Sequence, residues 1–176
     1  MLRPYLGNIG HAAIILSFVT AIIATYAYWQ ASRNSENVNK WTPVARSVFF
    51  IHGVALITVV TVLFTIIFNR YFEYHYAWDN SSLSLPLGYA ISCFWQDQEG
   101  SFLLWMFWNV LVGAVMIWQF SRINKKSKTG IADFEAPTMT IFAAVQGFLA
   151  SMILGVVIFG ELKIGSSPFL LLRESM

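Results

Sequence analysis

The chain has 176 residues, 57% of them hydrophobic and only 11% charged, with a formal net charge of +2. A soluble domain carries about 25% charged residues, so a water-facing globule is excluded, and a near-neutral chain whose basic residues fall in two short loops has no nucleic-acid footprint. The one cysteine, Cys93, excludes an intramolecular disulfide framework and a multi-thiolate zinc cluster.

Four apolar runs reach the roughly 20 residues that a helix needs to cross hydrocarbon. The first covers about 6–31 and ends in Tyr26, Tyr28 and Trp29; lacking a small-residue cleavage site followed by a soluble chain, it reads as a retained span. A polar stretch with Arg33 and Lys40 leads to a second run over about 44–68, opened by Pro43 and Ser47. Its Val, Ile and Thr content suits a strand in water, but in lipid only an internally bonded helix is stable. The third span covers about 100–120 and the fourth about 138–162, with Pro137 at a first-turn position that needs no backbone donor. The expected fold is all-α: one polytopic transmembrane domain over residues 1–176, with four helices and a long aromatic loop.

Positive residues in short loops stay on the cytoplasmic side. Arg33, Lys40 and Arg46 mark the first connection, and Arg122, Lys125, Lys126 and Lys128 mark the third. The second holds Arg70 beside Glu73, Asp79, Asp97 and Glu99, so it is expected outside, together with both termini, in a bacterial inner membrane. This outer loop, 69–99, opens with Tyr71, Phe72, Tyr74, Tyr76 and Trp78. It turns at Asp79-Asn80-Ser81-Ser82, a formal glycosylation acceptor better read as a turn, and offers a short helix over 86–95 that would lie along the membrane surface.

Ionisable residues inside spans are functional candidates, and this chain has few. His11 and His52 fall at opposite depths, too far apart to ligate one iron, and each reads as a neutral imidazole bonded to a neighbouring helix. His75, in the outer loop, is the candidate cofactor-binding histidine. Asn109 and Gln146 can bond across helices. Ala143, Gly147, Ser151 and Gly155 recur at four-residue steps, a small-residue stripe for close helix packing, with a weaker one at Ala13, Ser17 and Ala21. Glu161 and Lys163 reach headgroups by snorkelling, and Asp97 and Glu99 precede the third span, where carboxylates favour the positive end of a helix. No nucleophile and base pair, metal cluster or phosphate loop is evident.

The most specific string is Trp95-Gln96-Asp97-Gln98-Glu99-Gly100-Ser101-Phe102-Leu103-Leu104-Trp105. It resembles the W-G-x-x-E-G-S-x-L-L-W segment of the CcmF/NrfE-type cytochrome c-type biogenesis proteins, the haem lyases. Glu99, Gly100, Ser101 and Trp105 match, as does Trp95; Gln96-Asp97-Gln98 departs from the pattern. Asn80-Ser81-Ser82, Leu85-Pro86 and Tyr89 are similar to that family's preceding loop, and Ser167-Pro168-Phe169 to its N-P-F. The resemblance implies the N-terminal portion of a membrane subunit that receives haem on its outer face and joins it to apocytochrome c. Family members are several times longer, and their haem-handling tryptophan motif and ligating histidines lie beyond the matched region. The chain is therefore expected to be a scaffold without catalytic residues of its own. Haem would belong to the complete protein or complex, and the partners would be the remaining part of the lyase or other maturation subunits, apocytochrome c and lipid. A small transporter or channel subunit, with Asn109, Gln146, Glu161 and the histidines lining a polar path, and a non-functional remnant are the competing readings.

Overall fold

A computed structural model describes residues 3–33, 35–126, 134–158 and 162–172. The elements in chain order are α1 (Arg3–Arg33), α2 (Ser35–Phe68), α3 (His75–Asn80), α4 (Leu87–Ser92), one 3-10 turn (Cys93–Trp95), α5 (Gln98–Lys126), α6 (Glu135–Met152), β1 (Val156–Ile158) and β2 (Leu162–Ile164). Among the described residues, three helices are long and apolar enough to cross a membrane: Tyr5–Arg33, Val38–Phe68 and Gln98–Ile123. The chain is a multi-pass membrane protein.

The four long helices alternate in direction. Tyr26 meets Trp41 edge-on at 5.9 Å, and Ser17 meets His52, which makes α1 and α2 an antiparallel hairpin. Phe49 lies against Gly113 and Gly53 against Val110, so α5 runs antiparallel to α2. Gln146 bonds the carbonyl of Met106 while Met139 reaches Gly113, so α6 returns antiparallel to α5. Gly147 then lies under Ile22 and Ala21 of α1, closing the ring. Lipid supplies no hydrophobic drive for helices to associate; contact here comes from small residues and polar bonds. Ala13, Ser17 and Ala21 are all buried, as are Ala143 and Gly147.

Two apolar clusters fill the bundle. One, toward the loop 69–97, contains Ile14, Leu56, Leu63, Leu103, Met106 and Ile153. The other, toward the α1–α2 and α5–α6 connections, contains Ala24, Tyr28, Phe49, Met139 and Ala143. Between them in sequence on each helix lie Ser17, His52 and Gln146, all buried. At the second end Arg46 grips Glu135 with two hydrogen bonds of 2.6 and 2.5 Å, the Glu135 carboxylate being almost fully enclosed.

Two helix boundaries depart from the expectations. Pro43 lies inside α2 rather than opening it. The missing donor is tolerated because the carbonyl it leaves unpaired, four residues earlier, falls at the polar end of the helix, outside the most apolar part. The fourth helix ends at Met152, short of residue 162. Gly155, at φ +61°, takes the left-handed conformation that side chains disfavour, and the Ser166 N–H caps the Met152 carbonyl at 3.0 Å. The chain then forms an antiparallel hairpin of β1 and β2, with Val157 opposite Lys163. Gly155 is thus a turn residue packed on Ser167, not the last member of a helical stripe. Among the described residues α6 has 18 positions, and it is not one of the helices long and apolar enough by itself to cross a bilayer. The side chains of Glu161 and Lys163 lie outside the described residues.

Candidate functional site

The matched segment is built by a glycine. The chain leaves α4, makes the 3-10 turn and re-enters a helix at Gln98, so the turn's carbonyls lie on the first turn of α5. A β-carbon at Gly100 would collide with the Phe94 carbonyl and with the Tyr76 hydroxyl. Only glycine admits this approach. The buried Tyr76 donates from its hydroxyl to the carbonyls of Phe94 at 2.7 Å and Cys93 at 3.2 Å, and Ser101 donates to the Trp95 carbonyl at 3.1 Å. Phe94 stacks on Phe64 of α2 with ring centroids 4.5 Å apart. Sequence reading gave Tyr76 no particular role, because its partners are 17 and 18 residues away and follow no local pattern.

Charge is concentrated here. Asp97 caps α5, its carboxylate accepting the Gln98 N–H at 2.7 Å, and Glu99 stands half-buried in the first turn, where both favour the helix dipole. Burial, reinforced by the Asp97 and Glu99 carboxylates, pushes the Tyr76 hydroxyl well above its ordinary range, so it stays a donor. Burial also pushes the Cys93 thiol up. Arg70, itself at φ 55°, donates to the carbonyls of Leu83 at 2.6 Å and Leu85 at 3.1 Å, tying the descending half of the loop to the end of α2. Asp79, Asn80, Ser81, Ser82, Tyr89 and Gln96 border a polar hollow of about 320 Å³.

A second strap crosses the same end of the bundle. His75 N–H bonds the Leu170 carbonyl at 2.9 Å, and Leu172 N–H bonds Glu73 O at 2.9 Å. Phe169 lies against Gly10, and the Tyr74 hydroxyl accepts the Gly7 N–H at 2.9 Å. Burial raises the Tyr74 hydroxyl. Residues 71–101 and 165–172 therefore form one platform over the ends of α1, α2 and α5.

The candidate residues are distributed as follows. Trp95 and Trp105 are exposed, at 44% and 69%, while Gly100 is enclosed and Ser101 half-buried. His75 is exposed, with Nδ1 3.2 Å from the Asp79 carboxylate one helical turn on. His11 borders a pocket of about 350 Å³ beside Ser167 and Phe169. His52 is fully buried between helices. Two histidines that ligate one haem iron have to face one cavity, and these three stand in three separate environments. No two of them form such a pair.

No protein-family profile matches the sequence, and no curated protein matches it. A solved structure does: a cytochrome c haem lyase, CcmF, is similar with a TM-score of 0.65 at 18% identity, over 92% of this chain and 25% of that one. The chain spans about a quarter of the length of the protein it matches, and what the two share is the fold.

Proposed function

We propose that this chain is a membrane scaffold portion of a cytochrome c maturation haem lyase, helping to wall the site where haem and apocytochrome c meet on the outer face. The observation that carries this reading is the likeness in fold to a cytochrome c haem lyase over 92% of the chain. It is supported by the position of the segment 95–105, which shares its end of the bundle with the aromatic loop. Haem is assigned to the complete protein, since this chain spans about a quarter of the length of the lyase it matches and no two of its histidines face one cavity.

The scaffold role draws support from α5. Trp105, Trp108, Leu111, Val112, Val115 and Trp118 are all exposed along it. On one side it borders a groove of about 380 Å³ lined by Phe50, Gly53, Ala114 and Trp118, and on the other a groove of about 420 Å³ lined by Trp105, Trp108, Asn109 and Val145. Large apolar side chains left exposed along one helix suit packing against further helices, so the remaining lyase helices would seat here.

All four long helices cross the bilayer in this reading. At about 1.5 Å per residue, the 18 residues of α6 give roughly 27 Å, close to the ~30 Å hydrocarbon core. The strap 165–172 meets the start of α1, at the end of the bundle opposite the α5–α6 connection, which favours a crossing. Arg33 and Arg122 stack on Trp29 and Trp118 at that connection's end, the place of cytoplasmic positive residues and interfacial tryptophans. The platform, α4 included, then lies along the outer surface of a bacterial inner membrane, with both termini outside.

The experiment is the Glu99→Ala, Trp105→Ala double variant in a complete maturation system. A fall in cytochrome c yield of at least several-fold is expected at normal levels of the variant in the membrane. Unchanged yield would discard the scaffold role.

A further inference from the structure

The pocket beside His11 holds about 350 Å³ between residues 7–15 of α1 and the strap, with Asn8, His11, Ala12 and Ile15 on one side and Ser167 and Phe169 on the other. Its depth places it at a boundary. His11 stands six residues, about 9 Å, along α1 from Tyr5, where the apolar span begins, and Ile15 is about 6 Å deeper. One end of the pocket is therefore level with headgroups and the other with acyl chains.

The polar end supplies hydrogen-bond donors. Ser167 Oγ accepts the Phe169 N–H at 3.3 Å and lies 3.5 Å from His11 Nδ1. If the hydroxyl gives its hydrogen to Nδ1, the neutral ring carries its own on Nε2, which meets no acceptor among the described residues. If Nδ1 gives instead, the hydroxyl hydrogen is left over. Either arrangement leaves a donor unused. Asn8, exposed one turn earlier, adds an amide whose side chain makes no hydrogen bond among the described residues. Anionic headgroups are read by Lys and Arg, and neither they nor Asp or Glu are among the described residues that line the pocket.

Below the donors the wall is apolar. Ala12, Ile15, Val19 and Ile22 follow Asn8 at steps of three and four residues, so they share one face of α1, and all are exposed. Donors above an apolar strip match a molecule with an accepting head and a long chain. We propose that the pocket holds the ester and phosphate region of one membrane phospholipid, whose oxygens accept from Asn8 and from His11 or Ser167. One acyl chain runs down α1 over Ala12 and Ile15. The lipid then bridges the first helix and the strap.

The test is native mass spectrometry of the purified full chain at pH 8, titrated in detergent with phosphatidylcholine or phosphatidylglycerol. One retained lipid per chain is expected, with similar affinity for the two headgroups. His11→Phe should weaken retention about threefold to tenfold, as for one lost hydrogen bond. Ala12→Trp, at an exposed position where the added ring cannot disturb the core, should weaken it at least as much by blocking the chain's path. No retained lipid, or equal retention by the native chain and Ala12→Trp, would overturn the proposal whether or not His11→Phe folds. So would a strong preference for phosphatidylglycerol, which an uncharged donor set cannot give. Displacement of the lipid by glycerol phosphate alone would mean that the pocket takes a free phosphate, and would overturn it too.

Discussion

A methyl group added at Gly100 has nowhere to go, since the atoms it meets include a backbone carbonyl that cannot swing aside. Gly100→Ala should therefore cost about 1–3 kcal/mol, read as a lower unfolding temperature in detergent. Tyr76→Phe should cost about 1–3 kcal/mol by removing the hydroxyl that the buried Phe94 carbonyl accepts from. Cys93 reports on both variants. Its thiol is held above the usual range by burial, so at any pH between about 7 and 9 less of it is the reactive thiolate than for a free cysteine. Alkylation of the native chain should be slower than that of a free thiol throughout that window, and it should speed up in Gly100→Ala and Tyr76→Phe. Equal rates in native and variant chains would mean that the turn keeps its shape without the glycine and the hydroxyl.

Where helices are joined, the Arg46–Glu135 pair is the clearest lever, because it links α2 to the start of α6 across 89 positions of sequence. Glu135→Gln leaves the guanidinium without its carboxylate. Breaking a buried pair costs about 3–5 kcal/mol, and with the Arg46 side chain 31% exposed solvent screening places the expected loss below that range. Arg46→Met combined with Glu135→Leu should regain most of the loss, as measured by unfolding temperature. Much of the helical layout is legible in hydropathy, since runs of apolar residues can only be helices in lipid. The end of α6 is not: Gly155 continues the four-residue spacing and reads as part of a helix face, whereas its positive φ and the capping of Met152 by Ser166 depend on a segment that returns later. The Arg46–Glu135 pair escaped notice for a related reason, as Arg46 reads locally as a loop-edge charge. At the platform, Glu99, Gly100, Ser101 and Trp105 stand out as a motif, but Tyr76, which sets the spacing of that motif against the turn, is one aromatic among many.

For the molecule in its membrane, the proposed orientation predicts that a reporter fused after Lys126 stays on the cytoplasmic side, while one inserted at Ser82 is exported. Export of the Lys126 fusion would invert the assignment. The purified chain mixed with haem should give no stable Soret band. A band that disappears in His75→Ala or His11→Ala would instead locate haem on this portion.

The strap over the outer end also has a bearing on the order of assembly during synthesis. Phe169 covers Gly10, which joins the latest described part of the chain to the earliest helix, and Leu170 and Leu172 pair with His75 and Glu73 of the outer loop. The first helix enters the bilayer long before those residues leave the ribosome, so its glycine face has to wait, uncovered, until they do. A chain truncated shortly before residue 165 should therefore hold all its long helices inserted yet remain open to protease at the loop 71–85, and a chain that extends through residue 172 should be closed there.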